Sequence, residues 1–175
     1  LDGLHVSIGT PLLACDEDIW AAARAVLAHL PEERRADEDV VLIPGDTSWA
    51  MQLSAAVPDL QAIGALPGRK IILKGNHDYW WSTAAKFYKF CQQNEFENMF
   101  VLNNNCYEYG DFAICGTRGW FFEEEKSGEH DTKVFRRELC RLEASLKAAG
   151  EKEKLVFLHY PPRYRGYECR EIIEM

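Results

Sequence analysis

The sequence lacks the features that would place it in a specialised structural class. It has no run of about 18 apolar residues that could cross a membrane, and its first residues lack the basic patch and apolar stretch of a secretory signal. It also has no internal repeat, no low-complexity tract and no interdomain linker. The missing apolar run argues against a membrane-spanning protein, and the missing signal argues against an exported one. They predict one soluble domain over residues 1–175 that stays in the cytoplasm.

The six cysteines are scattered, without a CxxC pair or Cys/His spacing typical of a zinc finger. This pattern indicates neither a structural zinc site nor a compact disulfide framework. We interpret them as reduced thiols, most of which pack as small apolar residues.

Positive charge is scarce relative to negative charge. The chain has 28 Asp and Glu residues against 20 Lys and Arg residues, a formal net charge of -8. Such a surface repels a phosphate backbone and disfavours nucleic acid as a partner. A small phosphorylated substrate remains compatible, since bound divalent cations can supply local positive charge.

Apolar residues make up 47% of the chain, which is ample for a packed core. Short apolar, often β-branched runs predict buried strands over 40–43, 70–73, 100–102, 112–115 and 155–158. Apolar residues at helical spacing predict helices over 16–30, 50–66, 83–93 and 135–149. Strands alternating with helices predict an α/β domain with a largely buried sheet.

Chemically useful side chains follow three of these strands. Asp46 comes after the first, Asn76 and His77 after the second, and His159 after the last. The carboxyl ends of strands in α/β sheets converge at one edge, so these residues can share a crevice. Carboxylate, amide oxygen and neutral imidazole are ligands for divalent ions. The pattern predicts a metal-dependent hydrolase site.

Each loop alone also has a structural explanation. Asp46 can serve as a turn residue or a helix N-cap. Asn76 and His77 can stabilise a turn through hydrogen bonds to the backbone, and His159 can be a structural histidine. Three such loops in the same topological position favour the functional interpretation.

The strings VLIPGD (41–46), GNHD (75–78) and LHYPP (158–162) resemble the calcineurin-like metallophosphoesterases, in that family's order. The sequences TSWAM (47–51), YWW (79–81) and GTRGW (116–120) are similar to those of a bacterial subgroup of phosphohydrolases. The resemblance covers most of residues 38–162. It implies a four-layer α/β/β/α sandwich and hydrolysis of a phosphomonoester, phosphodiester or phosphoanhydride by a metal-activated water.

The resemblance also implies roles for individual residues. Asp46 would bridge two metal ions, and Asn76 and His159 would bind the second. His77 would lie near the phosphate and the leaving group, as a transition-state stabiliser or general acid, with Asp78 outside the ligand shell. Mn, Fe, Zn and Co all suit such mixed nitrogen and oxygen ligation.

Two of the family's motifs are incomplete. The nearest match to its Asp-x-His motif, which follows the opening strand, is Gly3-Leu4-His5, so His5 is the only ligand expected there. No Gly-His-x-His motif follows His159. We therefore expect a shortened chain whose exposed sheet edges favour homo-oligomers. The alternative is a catalytically silent scaffold that binds phosphate or a partner; a nuclease, a third hypothesis, is disfavoured by the net charge.

Two further features have open interpretations. Arg118 lies in a glycine-bracketed loop where its guanidinium could clamp a substrate phosphate, or it could be an ordinary salt-bridged arginine. Tyr79, Trp80 and Trp81 could stack on a nucleobase, but core packing is the preferred interpretation.

Overall fold

The computed structural model describes residues 39–66, 68–120, 129–164 and 166–175, together with the backbone of residues 4–6. The chain forms two compact units, one ending at Val101 and the other beginning at Leu102. The helix predicted over 16–30 lies outside the described residues. No helix in the described ranges is long and apolar enough to cross a membrane.

The first unit is built on a four-stranded parallel sheet with the order β1-β2-β3-β4. Its strands are β1 (Leu4–Val6), β2 (Val40–Ile43), β3 (Arg69–Ile72) and β4 (Met99–Val101). Every residue of β2 is buried, which confirms the strand predicted over 40–43. Strands β3 and β4 each begin one residue before the predicted position. Parallel pairing brings the carboxyl ends of β2 and β3 to the same edge.

Two helices follow strands of this sheet. Helix α1 (Val57–Gly64) is preceded by a 3-10 turn at Leu53–Ala56, and α2 covers Ala84–Gln93. The helix predicted over 50–66 is too long, because Pro58 lacks a backbone N–H and suits only the first turn of α1. The start of α2 is set by Thr83, whose side chain accepts a hydrogen bond from the Lys86 N–H at 3.2 Å.

Aromatic side chains fill the core of the first unit. Trp80 and Trp81 are buried against β2, α1 and α2, and the Trp81 ring stacks on Phe87 with centroids 5.4 Å apart. Their burial agrees with the packing interpretation. Tyr79 differs, because 53% of its surface is exposed.

The second unit contains a three-stranded sheet with the order β5-β6-β7. Strand β5 (Tyr107–Tyr109) is antiparallel to β6 (Phe112–Thr117), and β7 (Glu153–Leu158) is parallel to β6. Helix α3 (Glu129–Ala148) packs against β6. It begins earlier than the predicted 135–149, because Glu129 and Asp131 in its first turn suit the positive end of the helix dipole.

The burial expected for the last predicted strand is wrong. The residues of strand β7 are exposed or partly buried, none is fully buried, and Val156 is 45% exposed. Within the described residues β7 pairs only with β6, so it forms an edge of this sheet. A short hairpin, β8 (Arg163–Tyr164) and β9 (Tyr167–Glu168), and a final helical turn α4 (Arg170–Ile173) complete the unit.

Candidate functional site

The loop after β2 turns sharply at Gly45 and Asp46. Both residues have positive φ, 100° at Gly45 and 54° at Asp46. Asp is one of the few residues other than glycine that adopts this left-handed conformation with some regularity. The turn interpretation of Asp46 is therefore correct for its backbone, and it leaves open a chemical role for its side chain.

Gly75 allows the loop after β3 to touch the loop after β2. A side-chain carbon at position 75 would collide with both the Oδ1 atom and the backbone nitrogen of Asp46. Only a residue without a side chain fits so close an approach. The loops that follow two neighbouring parallel strands are thus in direct contact.

The buried carboxylate of Asp78 fixes this contact. Five donors surround it: the backbone N–H groups of Gly75 (2.6 Å), Thr47 (2.7 Å), Asp46 (2.8 Å) and Ser48 (3.2 Å), and Nε1 of Trp80 (3.1 Å). Burial raises the pKa of the Asp78 carboxyl and the neighbouring Asp46 raises it further, while the backbone hydrogen bonds oppose both effects. Asp78 therefore serves as the structural anchor between the loops.

The loop contact brings Asp46 and His77 together. Oδ1 of Asp46 accepts a hydrogen bond from the His77 backbone N–H at 2.9 Å, and Asn76 lies between Gly75 and His77 in the same loop. Three of the sequence-predicted site residues, Asp46, Asn76 and His77, therefore lie at one edge of the first sheet. Their roles as metal ligands and catalytic groups stay predictions.

The imidazole ring of His77 is held by two aromatic residues. The Trp49 ring stacks on it with centroids 4.2 Å apart and planes 6° apart. The Tyr79 hydroxyl lies 3.1 Å from Nδ1, and the Tyr79 ring meets the imidazole edge-on. These contacts set the plane of the imidazole ring and occupy its Nδ1 atom.

Sequence reasoning did not find the roles of Trp49 and Tyr79. The available signal is their position, since Trp49 lies three residues after Asp46 and Tyr79 lies two residues after His77. Both remain about half exposed despite their size.

In the second unit, Arg118 and His159 occupy matching positions just beyond the ends of two paired strands. Strand β6 pairs with β7 so that Thr117 lies opposite Leu158, and the next residues along the two strands are Arg118 and His159. The Tyr160 N–H donates to the Arg118 carbonyl at 2.9 Å, which extends this pairing past the strands. The His159 ring meets the Tyr160 ring edge-on at 5.0 Å.

Arg118 is held by an acidic and an aromatic partner. Its Nη2 atom lies 3.8 Å from Oε1 of the buried Glu138, and its guanidinium carbon lies 4.8 Å from the centroid of the Trp120 ring. Glu138 also accepts hydrogen bonds from Thr117 at 2.6 Å and Arg141 at 2.5 Å. The salt-bridged interpretation of Arg118 is therefore correct. A guanidinium with five N–H donors keeps the capacity to bind phosphate as well.

His5 occupies the middle of β1, opposite Val41. The resemblance placed the corresponding motif in a loop after the opening strand, so the backbone position differs from that expectation. The His5 side chain lies outside the described part of the chain, and its role as a ligand stays a prediction.

The donor chemistry near Asp46 fits a divalent cation in part. In the described ranges, no group of three or more His, Cys, Asp or Glu side chains is arranged to hold a metal ion. The Asp46 carboxylate has two oxygens, each with two lone pairs, and such oxygens can bind a cation as well as accept hydrogen bonds. Together with the amide oxygen of Asn76 it supplies oxygen ligands of the kind that hard divalent ions prefer.

Comparison with known proteins places the chain in a family. Residues 4–173 match the sequence profile of the calcineurin-like phosphoesterases, so the chain belongs to this family. Its α/β fold agrees with that membership. No curated protein is similar enough to this chain to count as a match. One similar solved structure is a protein of unknown function from Aquifex aeolicus, with 18% identity, a TM-score of 0.41, and coverage of 84% of this chain and 77% of that chain.

Proposed function

We propose that this protein is a metal-dependent phosphoesterase that hydrolyses a phosphomonoester, phosphodiester or phosphoanhydride. Family membership supports the phosphoesterase class. The proposed location of the metal centre rests on the hydrogen bond between Oδ1 of Asp46 and the His77 N–H. It joins a carboxylate ligand to a candidate acid at the carboxyl ends of two parallel strands.

In this proposal Asp46 would be a ligand shared by two divalent ions, Asn76 and His159 would help to hold the second ion, and His5 would help to hold the first. The roles of Asp46 and Asn76 are supported by the oxygen atoms of their side chains and by the contact between the loops after β2 and β3. The roles of His5 and His159 are supported by the resemblance of their motifs. Mn, Fe, Zn or Co would suit these ligands. When bound, such ions lower the pKa of a water towards neutrality and stabilise charge on a transferring phosphoryl group.

His77 acts on the substrate through Nε2. Trp49 and Tyr79 fix the plane of its ring, and a hydrogen bond from the Tyr79 hydroxyl to Nδ1 would leave the proton on Nε2. From there it can be given to the leaving-group oxygen or shared with a phosphoryl oxygen. Arg118 would bind the substrate phosphate, with its guanidinium orientation set by Glu138 and Trp120.

The proposed substrate is a small phosphorylated molecule in the cytoplasm. The net charge of -8 argues against a nucleic-acid backbone as the substrate. The cysteines of the described residues are free thiols, as expected in a reducing compartment. A homo-oligomer fits the exposed edge strand β7.

Hydrolysis of an aryl phosphate in the presence of Mn²⁺ tests the proposal. Wild-type protein is compared with Asp46→Asn and His77→Ala, and His130→Ala is a matched control because that histidine side chain is 86% exposed on α3. We expect both site variants to lose about 100-fold or more in rate and the control to keep the wild-type rate. Equal rates in all four proteins would reject the proposal that this protein is a phosphoesterase.

Metal analysis of the purified protein separates the enzyme from a silent scaffold. About two equivalents of metal, lost in Asp46→Asn, would support a two-metal centre. Metal binding without hydrolysis of any phosphate ester would identify a scaffold that keeps its ligands but not its activity. Metal-dependent nicking of DNA would overturn the choice of a small substrate.

A further inference from the structure

Two cysteines lie opposite each other where strands β5 and β6 meet. The antiparallel register pairs Tyr107 with Ile114, and one further step in the same register brings Cys106 opposite Cys115. Opposed positions in an antiparallel pair have Cα atoms about 4.5–5.5 Å apart. A disulfide spans Cα separations of roughly 4.4–6.8 Å. The Cα separation expected at this point therefore lies within the range that a disulfide spans.

The two side chains also share one apolar cluster. Cys106 packs against the group formed by Cys115, Ala113 and Ala149, with Leu146 beside it. Burial raises the pKa of the Cys115 thiol, and the second cause is the neighbouring Cys106 thiol. Both cysteines are free thiols. Proximity is thus shown by the register, the shared cluster and the electrostatic interaction.

The two thiols differ in their access to solvent. Cys115 is fully buried in β6, whereas Cys106 is partly exposed just before β5. The Cys115 sulfur also makes a weak hydrogen bond to the Ser145 carbonyl at 3.6 Å, which keeps it on the α3 side of the sheet. A reagent in solution therefore reacts with Cys106 before it reaches Cys115. The buried Cys115 thiol is then close enough to attack a mixed disulfide formed on Cys106.

We propose that Cys106 and Cys115 form a reversible disulfide by exchange with a low-molecular-weight disulfide. The Cys106 thiolate attacks one sulfur of that molecule, the sulfur–sulfur bond breaks, and the first small thiol leaves with a proton from the medium. Cys115 then loses its proton and attacks the Cys106 sulfur, which releases the second small thiol. Two protein thiols are oxidised, and one small disulfide is reduced to two thiols.

The cross-link would tie β5 to the strand that leads to Arg118. Strand β6 ends at Thr117, so the cross-linked residue lies three positions before the proposed phosphate-binding side chain. Disulfides in reducing compartments are usually transient and redox-sensing, which matches a pair with one accessible and one buried thiol. The proposal depends on the β5–β6 pairing and is independent of the phosphoesterase activity.

Oxidation of the full chain with oxidised glutathione tests the proposal. Trypsin cannot separate the two cysteines, because residues 107–114 contain no Lys or Arg, but cleavage before Asp111 can. We expect the fragments on either side of Asp111 to stay linked after oxidation and to separate after reduction. Cys140→Ser, which removes an exposed thiol on α3, should form the same link.

Single variants identify the order of the two steps. Cys115→Ala should stop at a mixed disulfide between glutathione and Cys106, and Cys106→Ser should form neither the mixed disulfide nor the link. Circular dichroism verifies that each variant is folded, and Cys106→Ser stands alone as a test if Cys115→Ala unfolds. A wild-type protein that stops at glutathionylated Cys106, or links Cys106 to Cys140 instead, would overturn the proposal. So would a link that forms only in urea.

Discussion

The buried carboxylate of Asp78 holds the backbone of Asp46, with Oδ2 2.8 Å from the Asp46 nitrogen. The carboxylate of Asp46 in turn accepts the His77 N–H. Each of the two loops after β2 and β3 therefore supplies an acceptor to the backbone of the other. Asp78 lies outside the proposed ligand shell, yet it sets the position of the proposed bridging ligand.

Replacing Asp78 should therefore unfold the site together with the first unit. Asp78→Ala leaves several buried N–H groups without an acceptor, and we expect the free energy of unfolding to fall by about 3–5 kcal/mol. Asp78→Asn keeps one acceptor oxygen and should cost less. Urea denaturation followed by tryptophan fluorescence measures both. The control Asp111→Asn, at an exposed position, should change stability by less than about 0.5 kcal/mol; a similar loss in Asp111→Asn would contradict the anchor role.

A side chain at Gly75 should displace Asp46 and weaken metal binding. The added carbon of Gly75→Ala meets Asp46 Oδ1 and its backbone nitrogen, so the loops must separate. We expect Mn²⁺ to raise the Tm of the wild-type protein, as any ligand of the folded state does, and to raise that of Gly75→Ala much less.

Gly110→Ala is the matched control for this experiment. It also changes a glycine, one with φ of 56°, but no atom lies within 4 Å of the added carbon. Its cost is the left-handed backbone alone, about 1–2 kcal/mol, and its response to Mn²⁺ should match the wild type. An identical Mn²⁺ response in Gly75→Ala would show that Asp46 is not a ligand.

Most of the fold could be predicted because its signals are local. The strand over 40–43 is a short β-branched run that ends at Pro44 and Gly45, a pattern typical of a buried strand. Two of the boundary errors fall where the signal is not apolar. Helix α3 begins with charged residues that carry no periodicity, and β5 consists of alternating aromatic and acidic residues, so neither boundary is visible in the apolar pattern.

The candidate site was predictable in its loops but not in its supports. Asp46, Asn76 and His77 follow strands, and topology alone predicts that such residues converge. The five-donor anchor at Asp78 depends on loop geometry that no spacing rule encodes. The exposure of Val156 could not be predicted either, because a buried run and an apolar edge strand have the same composition.

The Tyr79 hydroxyl should tune the reaction without supporting the fold. Tyr79→Phe removes only the hydroxyl that contacts Nδ1 of His77, so the imidazole loses the hydrogen bond that favours a proton on Nε2 while its contacts with the aromatic rings remain. We expect kcat for an aryl phosphate to fall roughly 10-fold with KM unchanged, and the urea midpoint to stay within error because Tyr79 is half exposed. Tyr164→Phe, at another exposed tyrosine, should retain wild-type kcat. A rise in KM with kcat unchanged would instead assign Tyr79 to substrate binding.

The cysteines of the folded protein should differ sharply in reactivity. Burial raises the pKa of Cys91 on α2 to about 11, so at pH 8 only about one molecule in a thousand carries the reactive thiolate. Cys140 on α3 is exposed. We expect iodoacetamide at pH 8 to label Cys140 first and Cys91 far more slowly, and the Cys91 rate to rise about tenfold for each pH unit up to its pKa. Mass spectrometry of a time course measures both rates.

Cys140→Ser should lose the fast phase that belongs to residue 140, and urea should make the two cysteines react at similar rates. Equal labelling in the folded protein would mean that α2 does not bury Cys91 in solution.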